Sequence, residues 1–233
     1  MEEGIFISEV TKENLESIFQ WCPPHEKERI LYYKSPDIGG AMAYVIGKEV
    51  VAFLYYSKHT YSVYIEYIEV KKSYQRKGVG KYFMKNAIKY FTDKDYKVIY
   101  INCVTQAGLH HAEKLGFRAY TQNNSCKENK RDNYMLKSLI RSESLKPYKP
   151  ECPFCFVVWT GSPTGLGEPD YFYDLTSKDN LPLVDYLHYD WWVEVRKDNE
   201  HIKKNKIKRF FKESFYDGIC YITVQDIIKQ IDN

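Results

Sequence analysis

The stretch that most constrains this chain is IEVKKSYQRKGVGKYFMKNAIKYF, residues 68–91. A strand-like run ends at Val70. A turn follows with Gly78 and Gly80 one residue apart, and then Val79, Phe83, Ala87, Ile88 and Phe91 recur at helical spacing. Bare backbone between a strand and a helix start lets several N–H groups point at one anion, and the helix N-terminus adds partial positive charge. The glycines permit close approach, and Arg76, Lys77 and Lys81 add full charges. The turn reads as a pyrophosphate cradle resting on a β-sheet.

Two common cradles fit poorly. A nucleotide P-loop needs a glycine, four residues and then Gly-Lys-Ser/Thr, whereas GVGKY lacks the first glycine and the hydroxyl. A dinucleotide fingerprint needs a third glycine where this chain has Phe83.

The flanks supply the rest of the architecture. GIFISEV reads as a strand, and TKENLESIFQWC as a helix capped by Thr11, with Glu13 and Glu16 in its early turns. GAMAYVIG, EVVAFLYYS and YSVYIEYIEV form an antiparallel meander, the last two joined by KHT. After the helix that begins at the cradle come a buried-looking strand KVIYINCV, a helix QAGLHHAEKL ending at Gly116, the polar stretch TQNNSCKENKRDN, and a strand YMLKSLI. The pattern is α/β on an antiparallel start.

Gln75-Arg76-Lys77-Gly78-Val79-Gly80 fits a Q/R-x-x-G-x-G/A signature, and EKLGF at residues 113–117 fits a second motif at the right distance. Over about residues 4–140 the chain resembles the GNAT superfamily of N-acetyltransferases. The resemblance implies a mixed, mostly antiparallel sheet flanked by helices, with acetyl-CoA as co-substrate and no metal. It implies that the backbone of Ile68, Glu69 and Val70 pairs with the pantetheine arm. Gln75, Arg76, Lys77, Gly78, Val79, Gly80 and Lys81 would hold the pyrophosphate. Thr105 stands where the family's asparagine is familiar, and Ala112 stands where a tyrosine often serves as general acid. These two replacements leave two readings: an active N-acetyltransferase, or a catalytically weak acyl-CoA-binding regulatory or interaction module.

Transfer to an amine needs a base for the amine and an acid for the thiolate. Glu66 and Glu69 precede the cradle. In a regular strand they face opposite sides, so only one reaches the acyl group unless a bulge intervenes. Glu66 is expected as the base. His111, about 100° around the helix from Ala112, is expected as the substitute acid; a core-packing role is the alternative, and His110 is expected to face solvent. Cys103 is expected to be packing.

The segment SESLKPYKPECP carries Pro147, Pro150 and Pro153 at three-residue intervals, which favours an extended connector. The expected organisation is an acetyltransferase domain at residues 1–141, a linker at 142–153 and a smaller α+β domain at 154–233 that helps select the acceptor. In that domain CPFC admits a redox pair, half a zinc site or plain structural cysteines. Trp191 and Trp192 should face opposite sides of a strand, and a helix around NKIKRFFKES should bury Ile207, Phe210, Phe211 and Phe215 and leave its lysines in solvent. The acceptor, a small molecule or a protein, should meet loops near residues 21–29 and 121–133.

A net charge of +3 demands no polyanion, so nucleic acid is not expected as a partner. MEEGIFISEV lacks the form of a secretion signal, and no stretch is long and apolar enough for a bilayer, so no membrane association and a cytoplasmic location are expected. A homodimer is left open.

Overall fold

The computed structural model describes residues 4–103, 105–119, 133–160, 168–176, 179, 181–185, 187–188, 190–198, 200–211, 218–219 and 221–231. The chain forms two compact units, Met1–Arg118 with Asp132–Leu139, and Ala119–Arg131 with Ile140–Asn233. Among the described residues no helix is long and apolar enough to cross a membrane.

In the first unit the order is β1 (Ile5–Ile7), α1 (Lys12–Phe19), α2 (Pro24–Tyr33), β2 (Gly39–Ile46), β3 (Glu49–Lys58) and β4 (Ser62–Val70). A 3₁₀ turn at Lys72–Tyr74 leads to α3 (Val79–Asp93), β5 (Val98–Cys103), α4 (Gln106–Lys114), β6 (Arg118–Ala119) and β7 (Asn133–Ser138). The strands form one sheet in the order β1-β2-β3-β4-β5-β7-β6, antiparallel from β1 to β4, with β4 and β5 parallel. This is the mixed, mostly antiparallel sheet that the resemblance implies.

Helices cover both faces of that sheet. Phe83, Ala87 and Phe91 of α3 and Ala112 of α4 pack with Leu54, Val63 and Ile65. On the opposite face Leu15 and Ile18 of α1 and Ile30 of α2 pack with Phe53 and Tyr55. Thr11 caps α1 through a reciprocal pair with Asn14. The expected loop at residues 21–29 is corrected: α2 starts at Pro24, where proline's fixed φ and missing donor suit the first helical position. The other expected acceptor loop, residues 121–133, lies outside the described residues apart from the backbone of Asn133.

The second unit holds β8 (Lys146–Pro147), β9 (Phe154–Trp159), β10 (Tyr171–Asp174), β11 (Leu187–His188), β12 (Trp192–Lys197), β13 (Glu200–Lys206), α5 (Ile207–Phe210), β14 (Gly218–Ile219) and α6 (Val224–Ile231). Five of its strands lie in the order β13-β12-β9-β10-β8. The expected connector at 142–153 is instead packed: Leu145 is buried, and Lys146–Pro147 pairs as an edge strand, a position that tolerates proline. Lys203, Lys204 and Lys206 lie on β13, paired with β12, and among the described residues of this run only Ile207–Phe210 is helical; Phe215 lies outside the described residues. Trp191 and Trp192 pack against different clusters, as alternation in a strand requires.

Cys152 and Cys155 are free, and burial, followed by the neighbouring Cys155, pushes the Cys152 thiol up to about 12. That is the opposite of an activated redox thiol. Among the described residues no group of three or more His, Cys, Asp or Glu side chains is arranged to hold a metal ion.

Candidate active site

β4 pairs with β3 throughout, but with β5 only from Ser62↔Val98 to Ile65↔Ile101. Beyond Ile65 its β5-side edge has no ladder partner among the described residues. An extended ligand carrying amide groups can add to such an edge as a strand would. At the end of this edge Gln75 Nε2 donates to the Val70 carbonyl at 2.9 Å, tying the cradle to the strand.

The glycine turn lies where its sequence suggests, between the end of β4 and the start of α3. Gly78 is the N-cap of α3 with φ 82° and ψ −6°, a left-handed conformation, and no side chain caps the helix. Arg76 also has positive φ, at 60°. Arg76, Lys77 and Lys81 are exposed, with the Lys77 ammonium 5.5 Å from the Tyr74 ring centre. A Cβ on Gly80 would lie 3.4 Å from Val70 Cγ2 and 3.8 Å from His111 Nε2. Any larger side chain would fill the space between strand, helix and imidazole.

His111 therefore belongs to the cradle side of the sheet. Its Nε2 is buried and has no hydrogen-bond partner. An orphaned polar atom beside an uncapped glycine turn is a group waiting for a ligand atom. Ala112, by contrast, is buried in the core and offers no proton. His110 is exposed and approaches Glu113 at 3.8 Å. Thr105 caps α4, its Oγ1 accepting from the Gly108 amide at 3.0 Å. Cys103 is buried, which raises its thiol pKa, so packing explains it.

The opposite face of β4 carries the carboxylates. Tyr55 pairs with Tyr67 and Tyr56 with Ile65, so Glu66 is an extra residue in the ladder, a β-bulge. Val63 and Ile65 face the α3 side before it, and Ile68 and Val70 face the same side after it. The bulge resolves the expected conflict between the two glutamates. Glu66 receives the Ser57 hydroxyl at 2.8 Å and bonds the Tyr33 hydroxyl, while Glu69 accepts from the Tyr67 hydroxyl at 2.6 Å. Tyr33 and Tyr67 both pack on the α1/α2 face, so both carboxylates serve that face. Glu66 and His111 thus flank β4 from opposite sides.

Around the carboxylates the rings are fixed. Tyr55 stacks with Tyr33 at 5.0 Å and with Tyr67 at 5.7 Å between ring centres. Tyr55 donates to Glu26, which is 2% exposed and also faces Arg29 at 3.7 Å. Burial, then the adjacent carboxylate, raises the pKa of both Tyr55 and Tyr67, so these phenols remain protonated donors at neutral pH. An open cleft of about 530 Å³ adjoins this face, lined by Trp21, Glu69, Lys71, Lys72 and Ser73. Sequence reading missed Tyr33 and Ser57, since nothing local ties them to β4; Trp21 opens the stretch 21–29 that was expected near the acceptor.

Residues 8–117 match the model of the acetyltransferase (GNAT) family. No curated protein sequence matches the chain. Among solved structures, the ribosomal-protein-S18-alanine N-acetyltransferase from Escherichia coli aligns with a TM-score of 0.50 at 14% identity, covering 60% of this chain and 97% of its own, which shows a shared fold. Ard1 from Thermoplasma volcanium aligns at 0.48 and 17% identity, covering 59% of this chain and 99% of its own. The PaiA N-acetyltransferase from Thermoplasma acidophilum, solved with coenzyme A, aligns at 0.44 and 14% identity, covering 58% and 99%. Residues 8–117, within the first unit, thus match an acetyltransferase domain of the GNAT family, a family that uses acetyl-CoA as acyl donor.

Proposed function

We propose that this domain transfers the acetyl group of acetyl-CoA directly to a primary amine. The observation that carries the reading is one strand flanked by two half-sites. On one side an uncapped glycine turn meets an orphaned imidazole nitrogen; on the other a bulge presents Glu66. The residues present fit the donor, since the uncapped left-handed turn at Gly78 and the free edge of β4 suit a phosphate and an amide-bearing arm.

Bound there, acetyl-CoA supplies a thioester carbonyl activated towards attack by nitrogen. The amides of residues 75–81, with Arg76, Lys77 and Lys81, hold the phosphate charge. The backbone of Ile68, Glu69 and Val70 aligns the arm, and Thr105 lines the same side. Glu66, directly or through one water, removes a proton from the acceptor's ammonium, so that the nitrogen attacks with a free electron pair. As the nitrogen–carbon bond forms and the carbon–sulfur bond breaks, His111 gives its proton to the sulfur, and the acylated nitrogen releases its second proton to water, leaving a neutral amide and a free thiol. Holding amine and thioester together supplies much of the acceleration. The proline-edged second unit is assigned to acceptor selection, and the enzyme is placed in the cytoplasm.

Ala112 in place of an acid favours the competing reading, an acyl-CoA-binding module without turnover. One experiment separates the two. Acetyl-CoA binding is measured by calorimetry and thiol release with a mixed amine panel, for the full chain and for a Gly78→Glu, Gly80→Glu variant. Micromolar binding that the variant loses, together with thiol release, supports transfer. Binding without release on any amine supports the module, and a folded wild-type chain that does not bind sinks both.

A further inference from the structure

We infer that the cleft beside Glu69 takes an amino-acid-like acceptor, a primary amine that carries its own carboxylate on an apolar body. The inference rests on the acetyl-transfer reading above and names the acceptor class for it. A cleft of about 530 Å³, open to solvent, has room for a small amine and its apolar body.

Each lining group restricts the occupant. Trp21 donates its indole N–H to the Val50 carbonyl at 3.1 Å and packs edge-on against Phe53 at 5.4 Å, so the ring is held and its polar edge is satisfied. What it offers a ligand is apolar surface. Glu69 is half-buried and hydrogen-bonded only by the neutral Tyr67 hydroxyl, with no ion pair among the described residues. Its charge is left for a ligand's ammonium. Lys71 is neutralised by Glu49, but Lys72 is exposed and forms no ion pair among the described residues. Ser73 adds a hydroxyl beside it.

The cleft thus presents one unanswered carboxylate, one unanswered ammonium and an aromatic wall. A simple monoamine leaves Lys72 unanswered, and a diamine brings a second cation towards it. An amine with its own carboxylate answers both charges, its apolar body lying on Trp21.

The test uses three forms of one body: phenylalanine, phenylalaninamide and phenethylamine, with the leucine series alongside, plus 1,4-diaminobutane and a short neutral peptide. Thiol release by the full chain is followed at saturating acetyl-CoA, and acetyl-CoA binding is measured separately by calorimetry. The amino acids are expected to exceed their amides and decarboxylated forms about tenfold in kcat/KM, the scale of one charge-assisted contact. Lys72→Gln should bring that ratio near one, and Glu69→Gln should raise the amino acid's KM about tenfold.

Bound acetyl-CoA with equal or better turnover of the amide, the diamine or the peptide overturns the acceptor class and leaves the transfer reading standing. Weaker acetyl-CoA binding by Lys72→Gln, with the ratio unchanged, assigns Lys72 to the donor and also overturns it. A folded chain that binds no acetyl-CoA removes both readings.

Discussion

In the proposed reading, the two sides of strand β4 recognise ligands by different means. On the donor side the working parts are backbone: a strand edge, a left-handed glycine and the first amides of a helix, nearly all within residues 68–81. On the acceptor side they are side chains from α2, β3 and β4, with Trp21 between the two helices, joined by hydroxyl–carboxylate bonds and stacked rings. Backbone recognition is written as one contiguous motif, because a short stretch of φ/ψ angles determines it. Side-chain recognition is assembled from positions that only the fold brings together.

The comparison can be broken most severely at the cradle. Replacing Gly78 and Gly80 by glutamate forces a side chain into a left-handed turn and adds charge where phosphate should sit. Acetyl-CoA affinity should fall at least about 100-fold by calorimetry, while the near-ultraviolet spectrum of the tyrosine cluster stays unchanged. Glu66→Gln attacks the other side. It should lower kcat/KM on the order of 100-fold and leave acetyl-CoA affinity within about twofold; a change in affinity instead would mean that the two sides are not separable.

A third variant sharpens the contrast through stability. Tyr55→Phe leaves the buried Glu26 carboxylate one donor short and should destabilise the domain by about 1–3 kcal/mol, read from a denaturant midpoint. The smallest effect is at Glu49, whose pKa is lowered chiefly by the hydrogen bond from Lys71. A lowered folded-state pKa stabilises above the ordinary carboxylate value, and that stabilisation fades as pH falls through the folded pKa. Lys71→Met should therefore flatten the acid side of the Tm profile below about pH 4.5. The change should be slight, because both partners are partly exposed.

Legibility followed the same division. The sheet, the cradle and the capped start of α1 could be read directly, because alternation, helical spacing and capping residues act within a few positions. Pro23-Pro24 looked like a loop, yet the second proline opens α2, and Ile30 one face further on fixes it against the core. Of the prolines at 147–153 only Pro147 lies in a strand, and its docking at the sheet edge depends on β10, which lies beyond any local signal. The lysine-rich run mimicked a helix because Ile207, Phe210 and Phe211 are helically spaced, whereas Lys203, Lys204 and Lys206 pair with β12. His111 and Gly80 could each be singled out from the sequence, but their proximity could not. Glu66 was singled out too, without the bulge that turns it towards Tyr33.

That bulge has a consequence for how such a chain can change. With Glu66 omitted, Val63, Tyr64, Ile65, Tyr67, Ile68, Glu69 and Val70 alternate without interruption between the two faces that they already occupy. Glu66 is thus a one-residue insertion on which the hydrophobic phase of the strand does not depend. A lineage could lose or regain the proposed base through a single codon deletion or insertion while every core contact of β4 stayed in phase, so that versions of the domain with and without this carboxylate lie one step apart.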